Sequence, residues 1–329
     1  MKRWIAMLLA AMTLTGLCLS SAFALPIEQM KGVKPYGQLI DVNGKKMNVA
    51  VLGENNKETL VLVPGQSEIS SYYGFHNLMK ILSKKYRIVM IDYFGFGLSD
   101  VTDAPRTSEN FADEIHTVLQ KLGIDRYTLM AHSMGGIYSL TYALKYPGEV
   151  KGFIGIDTST PVMEGGLEVH SSELTEDVID KLPLPDLDEE TQKQYRLIGK
   201  YTMNNPNMKD EDAHASSNLK DAETKKFPAG MKALYLLATQ SDDDMNMRMQ
   251  DFEQWYQESS KEFKEGKITE EELKQVPRIT RNWTEQHIDL HENPADAQTQ
   301  MLEGNHVMYL TLYKEIAEKV DAFVQSLGK

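Results

Sequence analysis

The sequence predicts an α/β protein: a mostly parallel sheet flanked by helices, with a cap inserted late in the chain. Three observations predict it. Short, nearly continuous apolar runs recur at Thr59 to Val63, Tyr86 to Tyr93, Tyr127 to Ala131, Phe153 to Asp157 and Ala233 to Ala238, the pattern of strands buried on both faces. Between two of them, Phe111, Ile115, Val118, Leu119 and Leu122 repeat at threes and fours, one apolar stripe of a helix. Strand, helix and strand in alternation imply parallel pairing, with the chemistry beyond the carboxyl ends of the strands.

The chain opens with Lys2 and Arg3, an apolar run from Trp4 to Leu19, and the small-x-small triplet Ala22-Phe23-Ala24. Residues 1–24 therefore read as a signal peptide removed on export. The run is shorter than the roughly 20 residues of a membrane span, which argues against an uncleaved anchor. A lipid anchor at Cys18 is disfavoured by the bulk of Leu17 before it. The expected localisation is periplasmic or secreted, with no membrane span in the mature chain.

Cys18 is the sole cysteine, so the mature chain has neither a disulfide framework nor a thiolate metal site. Loss of Lys2 and Arg3 moves the formal charge from −13 to −15. Such a surface repels phosphate backbones, which makes nucleic acid a poor partner. A small molecule is the expected ligand.

Tyr36 to Val42 and Lys46 to Leu52 alternate in the strand manner and meet at Asn43-Gly44, a strong hairpin signal. The expected core comprises residues 25–158 and 230–329. Residues 159–229, acidic, Asn-rich and punctuated by proline, form the expected cap, with Tyr195, Leu197, Ile198 and Tyr201 in weak helical periodicity. A second polar stretch, 243–293, carries Phe252, Trp255 and Tyr256 and is a further insertion or an extension of the cap.

The strongest chemical signal follows the Tyr127 strand: Ala131-His132-Ser133-Met134-Gly135-Gly136, then a helix bearing Tyr138, Leu140 and Leu144. A sharp strand-to-helix turn that lifts a serine hydroxyl above the sheet needs small residues on both flanks. Alone, A-x-S-x-G is equally an ordinary serine in a tight turn. Three further segments add weight. Pro64-Gly65-Gln66 follows one strand, Asp92-Tyr93-Phe94-Gly95-Phe96-Gly97-Leu98-Ser99-Asp100 ends another, and Glu303-Gly304-Asn305-His306 precedes a terminal helix with Ile316, Val320 and Phe323 on one face.

In this order and spacing the four segments resemble the α/β-hydrolase fold family over roughly residues 36–158 and 231–329. The resemblance implies an eight-stranded, mostly parallel sheet and a Ser, acid, His triad in that chain order. Carried over by position, Ser133 is the nucleophile, His306 the base, and the backbone N–H groups of Gln66 and Met134 the oxyanion hole. Asp92, Gly95, Gly97 and Ser99 are the family's structural turn.

The acid has two candidates. Asp242 follows the strand before the last, where the family usually carries it, although the common glycine is missing there. Asp157 closes the preceding strand, as in some members. Asp242 is favoured. Asp157 reads equally as a turn cap, and Asp243 and Asp244 as solvated charge.

Other histidines, His76, His116, His170, His214, His287 and His291, lack zinc spacing, and no metal is expected. His132, inside the elbow, reads as packing. Met245, Met247 and Met249 could bind a soft cuprous ion but read better as flexible apolar lining near the site. Without a P-loop or G-x-G-x-x-G, no cofactor is implied.

The expected function is an exported serine hydrolase acting on a carboxylic ester through an acyl-enzyme. One rival is an iminopeptidase-like or amide hydrolase of the same fold, whose cap carboxylates Glu164, Glu168, Glu173 and Glu176 would hold a substrate amine. The other is a non-catalytic binding protein that kept the fold, against which the retention of Ser133 and His306 speaks.

Overall fold

The computed structural model describes residues 29–161, 174–274 and 280–328. The expected leader, residues 1–24, lies outside them, as do Glu164, Glu168 and Glu173.

Eight strands form one sheet: β1 (Gln38–Val42), β2 (Lys45–Leu52), β3 (Thr59–Val63), β4 (Arg87–Ile91), β5 (Tyr127–His132), β6 (Val150–Ile156), β7 (Ala233–Ala238) and β8 (Ala297–Leu302), in the spatial order β1-β2-β4-β3-β5-β6-β7-β8. β2 pairs antiparallel with β1 and β4, and every later pairing is parallel. The opening hairpin turns at Asn43 and Gly44, both at positive φ (53° and 81°), as a two-residue turn matched to the strands' twist requires. All seven expected strands are present within a few residues. β8 is the addition: it lies at the sheet edge, mostly unburied, and its polar Gln298, Thr299 and Gln300 leave no apolar run to read.

Helices cover both faces. α1 (Ser71–Gly74) and α2 (His76–Leu82) precede β4, and α3 (Ser108–Lys121) precedes β5. α3 buries Phe111, Ile115, Val118 and Leu119 as the stripe predicts, and the Thr107 side chain caps it by accepting from the Asn110 N–H. α4 (Gly135–Lys145) leaves β5 directly. Between β6 and β7 lie α5 (Glu176–Asp180), α6 (Glu189–Thr202) and α7 (Pro206–Ala222), each capped at its start by Thr175, Asp188 or Asn205. Between β7 and β8 lie α8 (Thr239–Lys264), α9 (Glu270–Lys274) and α10 (Trp283–Ile288), and α11 (Tyr313–Leu327) closes the chain.

Two apolar layers result, one on each face of the sheet. β3, β5 and β7 are buried along their whole length, which is why they read as unbroken apolar runs. Among the described residues no helix is long and apolar enough to cross a membrane.

Candidate active site

Ser133 stands between the end of β5 and the start of α4 with φ +51°, a conformation that side-chain-bearing residues rarely adopt. The neighbours explain how the turn fits. A Cβ on Gly135 would lie 2.2 Å from the Val63 carbonyl oxygen, and one on Gly136 would lie 2.6 Å from Thr158 Cβ. Ala131 is fully buried between β3 and β6, paired with Val63 and Gly155, so its methyl is accommodated. Gly65 comes so close that a Cβ there would meet Ser133 Cβ at 2.8 Å. The loop after β3 therefore lies directly against the serine. Among the described residues, the amide N–H groups of Gln66 and Met134 donate to no protein acceptor.

His306 lies in the segment between β8 and α11, and its Nδ1 is 2.7 Å from Asp157 Oδ2. Of the two candidate acids, the structure therefore brings Asp157 to His306 and leaves the favoured Asp242 away from it. Asp157, the alternative, closes β6 at φ +45° and is fully buried, whereas Asp242 falls in the first turn of α8 and accepts from Asn246 Nδ2 at 3.0 Å. The physical reason is that β7 passes without a loop into α8, so the carboxylate after it is absorbed into the helix. There it complements the positive N-terminal end of the helix dipole.

Asp157 also accepts from the Ser241 hydroxyl (2.6 Å) at Oδ2, and from the Ala238 N–H (2.9 Å) and Trp283 Nε1–H (3.1 Å) at Oδ1. Burial alone would raise its pKa. The His306 ring beside it and these donors outweigh that and hold the carboxyl below the usual aspartate range.

His132 fixes the other side of His306. Its buried Nε2 lies 2.9 Å from the His306 carbonyl oxygen, so that nitrogen carries the proton, and the two rings sit 4.6 Å apart. Burial, with His306 beside it, pushes the His132 pKa down to about 3, so the ring is neutral. The neighbour of the elbow serine thus ties the His306 segment to the end of β5.

Asp157, His306, Ser241, Met245, Arg248 and Trp283 line an open cavity of about 210 Å³. Its outer wall comes from α8 and α10. Met245 is buried there, while Met247 is exposed, so the run of alternating methionines does not converge. Among the described residues no group of His, Cys, Asp or Glu could hold a metal ion. Glu176 is exposed on α5, 3.9 Å from Lys200.

Sequence reasoning missed Trp283, Ser241 and the bond made by His132. Trp283 had one legible signal: it opens α10 behind Asn282 and Glu285, which form a reciprocal capping box.

A family model described as alpha/beta hydrolase fold matches residues 58–197, from β3 through the elbow to α6. The fold and this match are those of the alpha/beta hydrolases. The uncharacterized protein YbdG of Bacillus subtilis is 35% identical over 130 residues, which is 39% of this chain and 40% of that protein. The cis-3-alkyl-4-alkyloxetan-2-one decarboxylase of Shewanella oneidensis is 31% identical over 120 residues, 35% of this chain and 36% of that protein. The matches thus span well under half the length of these curated relatives.

Among solved structures, a carboxylesterase of Nitrososphaera gargenis superposes with TM-score 0.54 at 17% identity, covering 88% of this chain and 99% of the other. That likeness is one of fold. The matched stretch contains Ser133 and Asp157, while His306 lies beyond it.

Proposed function

We propose that this protein is an exported serine hydrolase that cleaves a carboxylic ester through an acyl-enzyme on Ser133. The observation that carries the reading is the Asp157–His306 hydrogen bond, tied through His132 to the strained turn at Ser133.

With Nδ1–H donated to Asp157, the His306 ring presents an unprotonated Nε2, the tautomer a general base needs. Nε2 takes the proton from Ser133 Oγ as that oxygen attacks the ester carbonyl. The N–H groups of Gln66 and Met134 receive the charge that develops on the carbonyl oxygen. Collapse of the tetrahedral intermediate breaks the C–O bond, and His306 returns the proton to the leaving alkoxide. A water molecule, deprotonated by the same Nε2, then attacks the acyl group and frees Ser133. Asp157 stays ionised throughout and stabilises the imidazolium.

Two regions are assigned to substrate choice in this reading. The α5–α7 insertion, within the cap expected at 159–229, is one. The other is the α8–α10 stretch, because Met245, Arg248 and Trp283 wall the cavity that reaches His306. Residues 1–24 act as the export signal, and the intact mass of protein from its native host, starting at Leu25, tests that assignment.

The catalytic reading is tested with a fluorophosphonate probe. Labelling of the wild type and its loss in Ser133→Ala is the expected result. Equal labelling of both proteins would remove Ser133 from the mechanism.

A further inference from the structure

Three consecutive residues after β3 are each held by the insertion between β6 and β7. Gln66 Nε2 donates to Asp212 Oδ1 at 2.6 Å, the Ser67 N–H donates to Glu211 Oε2 at 3.1 Å, and Glu68 Oε1 accepts from the Tyr195 hydroxyl at 3.0 Å. Glu211 and Asp212 belong to α7 and Tyr195 to α6. The loop they grip lies against Ser133 through Gly65, and Ser67 is held at φ +57°.

Glu211 also reaches the other side of the elbow. Its Oε1 accepts from the Tyr138 hydroxyl at 2.9 Å, and Tyr138 is on α4, one turn beyond Ser133. A single carboxylate therefore spans the two segments that flank the serine, the loop carrying Gln66 and the helix begun by Met134. α7 is itself fixed to the core: Asn207 exchanges two hydrogen bonds with the Thr102 backbone, Asp210 accepts from the Arg106 N–H at 2.6 Å, and Asn218 accepts from the Ser108 N–H at 2.8 Å.

Helix packing alone does not call for Glu211. The residue is completely buried, and an apolar side chain of similar volume would bury the same helix face without the desolvation cost of a carboxylate. What an apolar side chain cannot do is accept from both Ser67 N–H and Tyr138 Oη–H.

We infer that Glu211 is a positioning residue, through which the α5–α7 insertion sets the spacing of the two amide N–H groups that stabilise the oxyanion, with Asp212 tethering the Gln66 side chain. The inference rests on the proposed acyl-enzyme mechanism. It gives the insertion a part in turnover as well as in substrate choice.

The test measures kcat and KM on p-nitrophenyl acetate, the rate of fluorophosphonate inactivation, and the melting temperature, for wild type, Ser133→Ala, Glu211→Ala, Glu211→Gln and Asp212→Ala. Glu211→Ala is expected to lower kcat and the inactivation rate together by roughly ten- to a hundredfold, with KM nearly unchanged, because the interaction acts in the transition state. Glutamine can accept from Ser67 through Oε1 and donate to Tyr138 through Nε2, so Glu211→Gln should recover most of the loss. A folded Glu211→Ala protein with wild-type kcat, or with a raised KM alone, would overturn the inference. Should Glu211→Ala fail to fold, the other two variants decide. A several-fold loss of kcat in Asp212→Ala, with kcat kept in Glu211→Gln, supports the inference, and unchanged kcat in Asp212→Ala refutes it. A wild type that does not label, or a Ser133→Ala variant that labels equally, refutes the acyl-enzyme reading itself, and this inference with it.

Discussion

Asp157 Oδ2 lies 2.7 Å from His306 Nδ1, although the two residues are 149 positions apart in the chain. Asp242, the carboxylate that the family resemblance favours, instead lies in the first turn of α8.

The first prediction sets these aspartates against each other. Asp157→Asn should lower ester turnover by about ten-thousandfold, since asparagine leaves the imidazole in the wrong tautomer. Asp242→Asn should keep turnover within about tenfold of wild type, losing only a half-buried contact with Asn246 inside α8. Steady-state kinetics on a p-nitrophenyl ester decides, and the reverse pattern would return the acid to Asp242.

Asp157 also predicts an acid dependence of stability. Its folded-state pKa is depressed by His306 and the donors around it, so its contribution is fully present above the unfolded value of about 3.9 and is lost as pH falls through the lower folded value. Denaturant unfolding of wild type and Asp157→Asn should therefore show a gap at neutral pH that closes only in strong acid. A gap that is constant with pH would mean that the carboxylate's charge is not the source.

Trp283→Phe removes one donor from Asp157 Oδ1 while the Ala238 N–H remains. We expect a stability loss of about 1–3 kcal/mol and a several-fold fall in kcat at near-constant KM. A raised KM with unchanged kcat would assign Trp283 to the cavity wall alone.

Glu211 predicts the opposite pH dependence. Burial raises its pKa to about 7, against the pull of the Ser67 N–H, Tyr138 and Arg106 and with a push from Asp212. A carboxyl whose folded pKa is raised favours folding while protonated, so its contribution is present below an unfolded pKa of about 4.3 and is lost as pH rises towards 7. Relative to Glu211→Gln, the wild type should lose on the order of 3 kcal/mol of unfolding free energy over that window. A flat difference across pH would place the Glu211 titration elsewhere.

Gly135→Ala should cost about 1–3 kcal/mol or more and abolish probe labelling, because its Cβ would sit 2.2 Å from a backbone oxygen of β3 and 2.6 Å from the next one. Gly148→Ala meets nothing within 4 Å and serves as the control, expected within about 0.5 kcal/mol of wild type. Thermal unfolding separates the two, and equal stability would contradict the close approach of the elbow to β3.

Much of this protein was legible in its sequence because it is written in local periodicity and steric demand. The hairpin at Asn43-Gly44, the buried strands β3, β5 and β7, the stripe of α3 and the small residues around Ser133 each depend on a few neighbouring positions. The pairing of His306 with its carboxylate was not local. It depends on parallel pairing that brings the ends of β6, β7 and β8 together, where β7 supplies the Ala238 N–H and the segment after β8 supplies His306. The edge strand β8, half-exposed and polar, carried no apolar run to announce it. Trp283 and Glu211 lie in insertions whose sequence shows only helical propensity. Their partners, Asp157 in one case and Ser67 with Tyr138 in the other, are 126, 144 and 73 positions away. Side-chain chemistry fixed what these residues could bond to, and only the packing of the insertions against the sheet decided which partners they met.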